Sequence, residues 1–382
     1  MSAWSGTPYF ITREIKKISD DVVVIRAQKM GLLLGLTRVI RYISKLFGSS
    51  IDLSVTNAYS KAVGHEIQRK IDQADPEVVI GIAASPELAN IKTSAPILHI
   101  SDATYAVMTN YYPEVSRVPK WLWREGNEIE RRVIENSTYS IFPSQWAMKS
   151  AQQDYDANPA KLQFIRLGAN VGELPGVDEP YLARKFDDEL RLLFMGKDWD
   201  RKGGEIILSA FEKLRKDGIA AELSIVGCDP FPGKPPAGVT VYENIRKNDP
   251  EQFALYNKLF SEASLFVLPT RAEAYGLVFA EAAAFATPVI APMTGGIPSV
   301  VDDGKSGILL PLSASGEDYA DAVLDLWRDK ARLRDMASYA RDKYVSELNW
   351  DRWRTDFSAI LADLQTSSGQ EDDAPIRPSA IH

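Results

Sequence analysis

Short runs of β-branched and aliphatic residues recur along this chain, most followed by a stretch of helical length, and they fall into two successive series. Val22–Arg26, Val78–Ile82, Ile97–Ile100 and Tyr139–Phe142 make the first. Leu190–Met195, Ala221–Val226, Val239–Tyr242, Leu265–Leu268, Pro288–Ile290 and Gly307–Leu310 make the second, with helical patterns such as Gly204–Lys216, Pro250–Ala263 and Gly276–Ala286 between them. Strands joined through helices pair in parallel, and a parallel sheet needs cover on both faces, so its strands read as unbroken apolar runs. Two series predict two such sheets, an α/β protein with two Rossmann-like domains. A length of 382 residues suits two domains better than one core.

Gly168–Asp188, with Pro175, Gly176 and Pro180, reads as the linker, dividing residues 1–168 from 169–348. Asn349–Leu364 is amphipathic, with Trp350, Trp353, Phe357, Ile360, Leu361 and Leu364 on one stripe. Residues 366–382 are polar and proline-containing, and are expected to form a disordered tail. A net charge of −8 argues against a nucleic-acid binder. The single cysteine, Cys228, cannot form an internal disulfide and reads as a small buried residue near a strand end. Three histidines, His65, His99 and His382, are too few and too scattered for a zinc site. No apolar run has the roughly 18 residues that cross a bilayer, and the amino terminus lacks a signal-peptide pattern. A cytoplasmic protein, soluble or peripheral to a membrane, is expected.

Two stretches carry chemistry. In RAEAYGLVFAEAAAFATPVIAP (Arg271–Pro292), a strand gives way to a loop with Glu273, and Gly276 opens a helix containing Glu281. Loops of this kind lie at the carboxyl ends of parallel strands, where ligands bind, and a helix start offers free N–H groups suited to a phosphate. Glu281 can accept from a ribose diol and Glu273 from sugar hydroxyls. As a glycosidase pair they are too distant, since eight helical residues span roughly 12 Å. A surface loop followed by a solvated glutamate fits the same pattern. In FMGKDWDRKGG (Phe194–Gly204), Lys197, Arg201 and Lys202 gather positive charge at another strand end, where a diphosphate needs neutralising. A lysine-rich loop is usually only a solvated turn; its weight here comes from its neighbour.

Together these stretches resemble the family-4 retaining glycosyltransferases of glycosyl transferases group 1, which have the GT-B fold of two Rossmann-like domains facing across a cleft. The family's Glu-x7-Glu signature corresponds to Glu273 and Glu281 in EAYGLVFAE, bringing Ala274, Tyr275, Gly276 and Leu277 into the donor site. GKDWDRKG puts Lys197 where the family has arginine and Lys202 at its lysine, a change that keeps charge but loses the bidentate fork, which Arg201 could replace. Ser299 stands where the family usually has glutamate. Ser5–Phe10 (SGTPYF) resembles the glycine loop facing the phosphates, which makes Gly6 a donor residue. RLGANV (Arg166–Val171) resembles the interdomain segment, and 349–365 the helix that returns to the amino-terminal domain. His99, at the end of Ile97–Ile100, matches a histidine the family places near the donor sugar, with Asp102 the alternative and a structural histidine the commoner use of such a residue. The resemblance implies transfer of a sugar from a nucleotide-diphosphate sugar to a glycan, lipid or small-molecule acceptor, with Glu273, Lys202 and His99 as catalytic candidates and neither metal nor cofactor. A sugar-nucleotide epimerase, a sugar phosphorylase or a non-catalytic binding protein are the alternatives.

Arg26–Phe47 carries five cations and no acid among aliphatic residues, as a core-packing helix or a membrane-surface helix would. In the family a central strand precedes the glycine loop, but Met1–Trp4 is shorter than the usual strand of about five residues. A narrower or rearranged amino-terminal sheet, or a start placed too late, is therefore expected.

Overall fold

The structure, a computed structural model, describes residues 6–27, 40, 51–186 and 189–369. Two parallel sheets organise them. The first has the order β1 (Val79–Ile82), β2 (Ile97–Ile100), β3 (Tyr139–Phe142) and β4 (Leu162–Phe164). The second comprises β5 (Leu190–Met195), β6 (Ala221–Val226), β7 (Val239–Tyr242), β8 (Leu265–Val267), β9 (Val289–Pro292) and β10 (Gly307–Leu310), in the order β10-β9-β8-β5-β6-β7. Every pair within these sheets is parallel. The central strands β2, β8 and β9 are buried throughout, as their unbroken apolar character requires.

Val22–Arg26 is not a strand. It joins neither sheet, and Val23 and Val24 are exposed. β4 was not foreseen: three residues behind a proline-headed turn leave too little periodicity to read. Cys228 is partly rather than fully buried. The expected linker also holds a helix, Glu179–Lys185, capped by Asp178, whose carboxylate accepts from the Tyr181 N–H at 2.9 Å. Pro180 misled because proline is tolerated in a first helical turn. Lys185 of that helix is buried, its ammonium donating to the carbonyls of Phe260 at 2.8 Å and Ser261 at 3.1 Å.

The last helix, Trp350–Gly369, runs past the expected start of the tail at residue 366. Residues 370–382, most of the basic segment 26–47, and Met1–Trp4 lie outside the described residues. That helix lies against the first, Thr7–Ile15: Phe10 stacks on Trp350 at 5.6 Å, and Arg354 reaches Glu14 at 2.7 Å. Burial pushes the Glu14 carboxyl up, but hydrogen bonds from Lys17, Arg13 and Arg354 outweigh it and hold the group below the ordinary carboxylate range. Among the described residues no helix is long and apolar enough to cross a membrane.

The chain passes between the halves twice, side by side. The Ala169 N–H donates to the Leu348 carbonyl at 2.8 Å, and the Trp350 indole to Asn170 Oδ1 at 3.1 Å. Gly168 permits this approach, since a Cβ there would stand 2.4 Å from the Trp350 nitrogen and 2.7 Å from the Asn349 carbonyl carbon. Main chain cannot yield as a side chain can, so Gly168→Ala is expected to destabilise by roughly 1–3 kcal/mol. Thermal unfolding reads this as a lowered Tm; an unchanged Tm would show the crossings to be loosely held.

Candidate active site

Read from its other edge, the second sheet runs β7-β6-β5-β8-β9-β10, so chain order reverses between β5 and β8. Loops leaving the two strands at such a reversal turn to opposite faces and leave a crevice at the carboxyl ends. The loop after β5 holds Lys197, Arg201 and Lys202, and the loop after β8 holds Glu273. Both stretches singled out in the sequence therefore reach one crevice. There the Lys202 ammonium donates to the Glu273 carboxylate in a short ion pair, the side chains 12% and 17% exposed. Glycine makes the meeting possible: Gly203 has φ +75°, and a Cβ there would lie 2.1 Å from the Pro269 carbonyl oxygen.

The other cations differ. Arg201 braces the loops, donating to the Ala272 carbonyl at 3.0 Å and pairing with Asp198 at 3.5 Å. Lys197 is exposed. The same loop spells Asp198-Trp199-Asp200, a spacing that can hold a divalent ion. Here, however, Asp198 closes the turn by accepting from the Arg201 N–H at 3.0 Å. Among the described residues no group of three or more His, Cys, Asp or Glu could hold a metal ion.

The Glu273–Gly276 main chain is held from the other half. The N–H of Glu273 donates to the Tyr111 hydroxyl at 2.9 Å, and that of Ala274 to the Tyr112 hydroxyl at 2.7 Å. Tyr275 is buried and donates to the Leu167 carbonyl at 3.0 Å, so its ring anchors the loop to the interdomain crossing. Gly276 sits at φ +91° as the cap of helix Leu277–Ala284, with Leu277 partly buried. The Phe279 amide donates to the Gly276 carbonyl at 2.9 Å, while the two amides before it, at the start of the helix, have no intrahelical acceptor.

Glu281 is buried and already engaged. One carboxylate oxygen accepts from Lys247 at 2.5 Å and the other from the Tyr256 hydroxyl. Burial, together with the neighbouring carboxylate, pushes the Tyr256 phenol well above its ordinary range. Lys247 also donates to the Asn170 carbonyl at 3.2 Å, and its side chain is 35% exposed. The sequence reading missed Lys247 and Tyr256, which come from a loop and a helix with no motif of their own. It missed Tyr111 and Tyr112 for the same reason; a pair of tyrosines after a short helix was the only signal.

His99 lies inside the first sheet, fully buried, with Nε2 3.2 Å from Ser85 Oγ. Burial lowers its pKa to about 4, so the imidazole is neutral at pH 7. Ser85 also hydrogen-bonds Glu130, whose carboxyl burial pushes up to about 7. Asp102 is partly buried at the same strand end. Gly6, at φ +87°, caps the first helix with open space where a side chain would be. Ser299 bridges the halves, its hydroxyl accepting from the Gln145 N–H at 3.1 Å and its carbonyl from Arg166 at 2.9 Å.

Two parallel sheets, one in Rossmann order with a charged pair at its reversal and the other reaching that pair's loop, define a GT-B glycosyltransferase architecture. Residues 189–329 match the sequence model of the glycosyl transferases group 1. It is similar to D-inositol 3-phosphate glycosyltransferase of Corynebacterium aurimucosum, 25% identical over 71% of this chain and 67% of that one. It is also similar to alpha-maltose-1-phosphate synthase of Mycolicibacterium smegmatis, 26% identical over 58% of this chain and 62% of that one. Among solved structures, sucrose-phosphate synthase from Thermosynechococcus elongatus superposes with a TM-score of 0.64 at 18% identity, over 81% of this chain and 79% of that one. Anabaena HepE, solved in complex with UDP-glucose, does so with a TM-score of 0.57 at 14% identity, over 78% of this chain and 82% of that one.

Proposed function

We propose that the chain transfers a sugar from a nucleotide-diphosphate sugar to a glycan, lipid or small-molecule acceptor, retaining the anomeric configuration and using no metal. The observation that carries this reading is the sheltered Lys202–Glu273 pair at the β5–β8 reversal. A diphosphate arriving there meets Lys202 and the first amides of helix Leu277–Ala284, and Glu273, released from Lys202, turns its carboxylate to the sugar hydroxyls. As the bond from the anomeric carbon to the diphosphate breaks, the departing oxygen gains negative charge. Lys202 and those amides stabilise that charge without reorganising. Glu281 faces the ribose: a carboxylate has about four acceptor positions, and the half-exposed Lys247 can swing aside. In this reading His99, fully buried, supports the first sheet and does not touch the sugar. Glycosyltransferase relatives favour transfer over epimerisation or phosphorolysis.

A thermal-shift screen against UDP-, GDP- and ADP-sugars tests the donor site, UDP-glucose being tried first because HepE was solved with it. No shift with any of them would remove the basis of the proposal. NMR of the product's anomeric proton then reads retention. Activity is expected to survive a chelator, because Lys202 supplies the charge a divalent ion would give. Loss that is restored by magnesium or manganese would assign Asp198 and Asp200 to a metal instead. The proposal extends to peripheral contact with an anionic membrane through residues 26–47: the protein is expected to sediment with anionic liposomes at low salt and release as salt rises. Absence of sedimentation would leave the core-helix reading.

A further inference from the structure

The amides of Glu273 and Ala274 lie in the loop that presents Glu273 to Lys202, and each donates to a phenol contributed by the other half of the molecule. Tyr111 is fitted into this place. Its hydroxyl also contacts Thr294 Oγ1 at 2.9 Å, and its ring packs against Trp146 at 4.8 Å. Gly295 leaves it room, since a Cβ there would stand 2.5 Å from the Tyr111 oxygen and 2.2 Å from the Glu273 carbonyl oxygen. Tyr112 is flanked by Arg201, whose guanidinium carbon lies 5.7 Å from the ring, and Arg201 itself holds the Ala272 carbonyl. Ala272, Glu273 and Ala274 are thus each fixed by a side chain of another segment.

We infer that Tyr111 and Tyr112 are positioning residues of the donor site, fixing the Glu273–Ala274 main chain, and through it the Glu273 carboxylate, when the two halves are together. Resting on the reading of the crevice as the donor site, the inference adds that catalytic geometry is completed by the half that does not hold the nucleotide. Separation of the halves frees both amides, so the loop no longer holds the Glu273 carboxylate in place, and turnover comes to depend on closure.

The test uses Tyr111→Phe and Tyr112→Phe, which keep the rings and remove the acceptors, with Ser299→Ala as a variant of an interdomain contact that leaves both phenols in place. Amide hydrogen exchange over 271–277 is measured first, without ligand. It is expected to rise at least fivefold in both phenylalanine variants and to stay unchanged in Ser299→Ala. Exchange that does not rise overturns the positioning role whatever the protein's reaction. The second measurement is hydrolysis of the nucleotide sugar giving the largest thermal shift, with the Kd of the matching free nucleotide. Expected are a kcat about tenfold lower in each variant and a nucleotide Kd within twofold of the parent. A fall in donor KM with kcat preserved would instead show the phenols to be competitors of the sugar, and equal losses in Ser299→Ala would show a merely structural contact. Either result overturns the inference. If exchange rises while the parent protein binds no nucleotide sugar, the loop-holding stands and it is the donor reading that fails.

Discussion

Lys202→Ala is expected to lower transfer by about 10²–10³-fold, the largest single loss in the protein, because it removes the cation placed where the leaving diphosphate gathers charge. The same change strips the partner from a sheltered Glu273 carboxylate, and an unpaired charge of that kind destabilises in its own right. Stability and chemistry are separated by Lys202→Met combined with Glu273→Gln, which leaves no charge unpaired: its Tm is expected near the parent's while turnover stays lost. Turnover above a tenth of the parent in Lys202→Ala would move the diphosphate role to the exposed Lys197 or to Arg201. Glu273→Ala is the companion measurement. It is expected to reduce turnover while the free nucleotide binds as before, since the residue faces the sugar in the proposed arrangement.

Glu281→Ala is expected to weaken free nucleotide and nucleotide sugar alike, by roughly 1–3 kcal/mol, through loss of a buried acceptor. The structure adds a second consequence. Lys247 and Tyr256 both donate to this carboxylate, so the variant leaves two donors without their acceptor and its Tm is expected to fall too. Lys247→Met distinguishes ligand loss from scaffold loss: it removes the side chain that a ribose must share Glu281 with. Nucleotide affinity equal to or above that of the parent is expected. Calorimetric titration with the free nucleotide decides both. Equal affinity in the parent and Glu281→Ala would sink the ribose assignment.

The second sheet was legible almost residue by residue, because fully buried parallel strands leave unbroken apolar runs such as Val289–Pro292 and because helices between them begin at glycine or at a capped proline. The amino-terminal half was less so. β4 is too short to show a period, and Val22–Arg26 has strand composition without a neighbour to pair with. At the site, the two motif stretches could be read because each is contiguous in the chain. What surrounds them could not. Lys247 meets Glu281 across a sequence separation of 34 residues, and Tyr111 meets Glu273 across 162. No spacing rule connects such pairs; only the sheet order that brings them together does. His99 shows the converse case. Its place at a strand end was correctly read, yet a side chain leaving a strand can point into the core, and this one does.

The contact between the first and last helices has a bearing on how the protein is made. Glu14 and Phe10 emerge early from the ribosome, but Arg354 and Trp350, which satisfy them, are synthesised more than three hundred residues later. At roughly 5–20 residues per second, the amino-terminal half waits tens of seconds with a buried-type carboxylate and an aromatic ring uncovered. The second half, whose strands and helices are contiguous in the chain, meets no such delay. Nascent chains are therefore expected to carry a finished second domain beside an open first one, a state that chaperones would bind and proteases would cut. Sensitivity of expression to temperature would then track residues 7–15 and 350–364 more closely than the crevice itself.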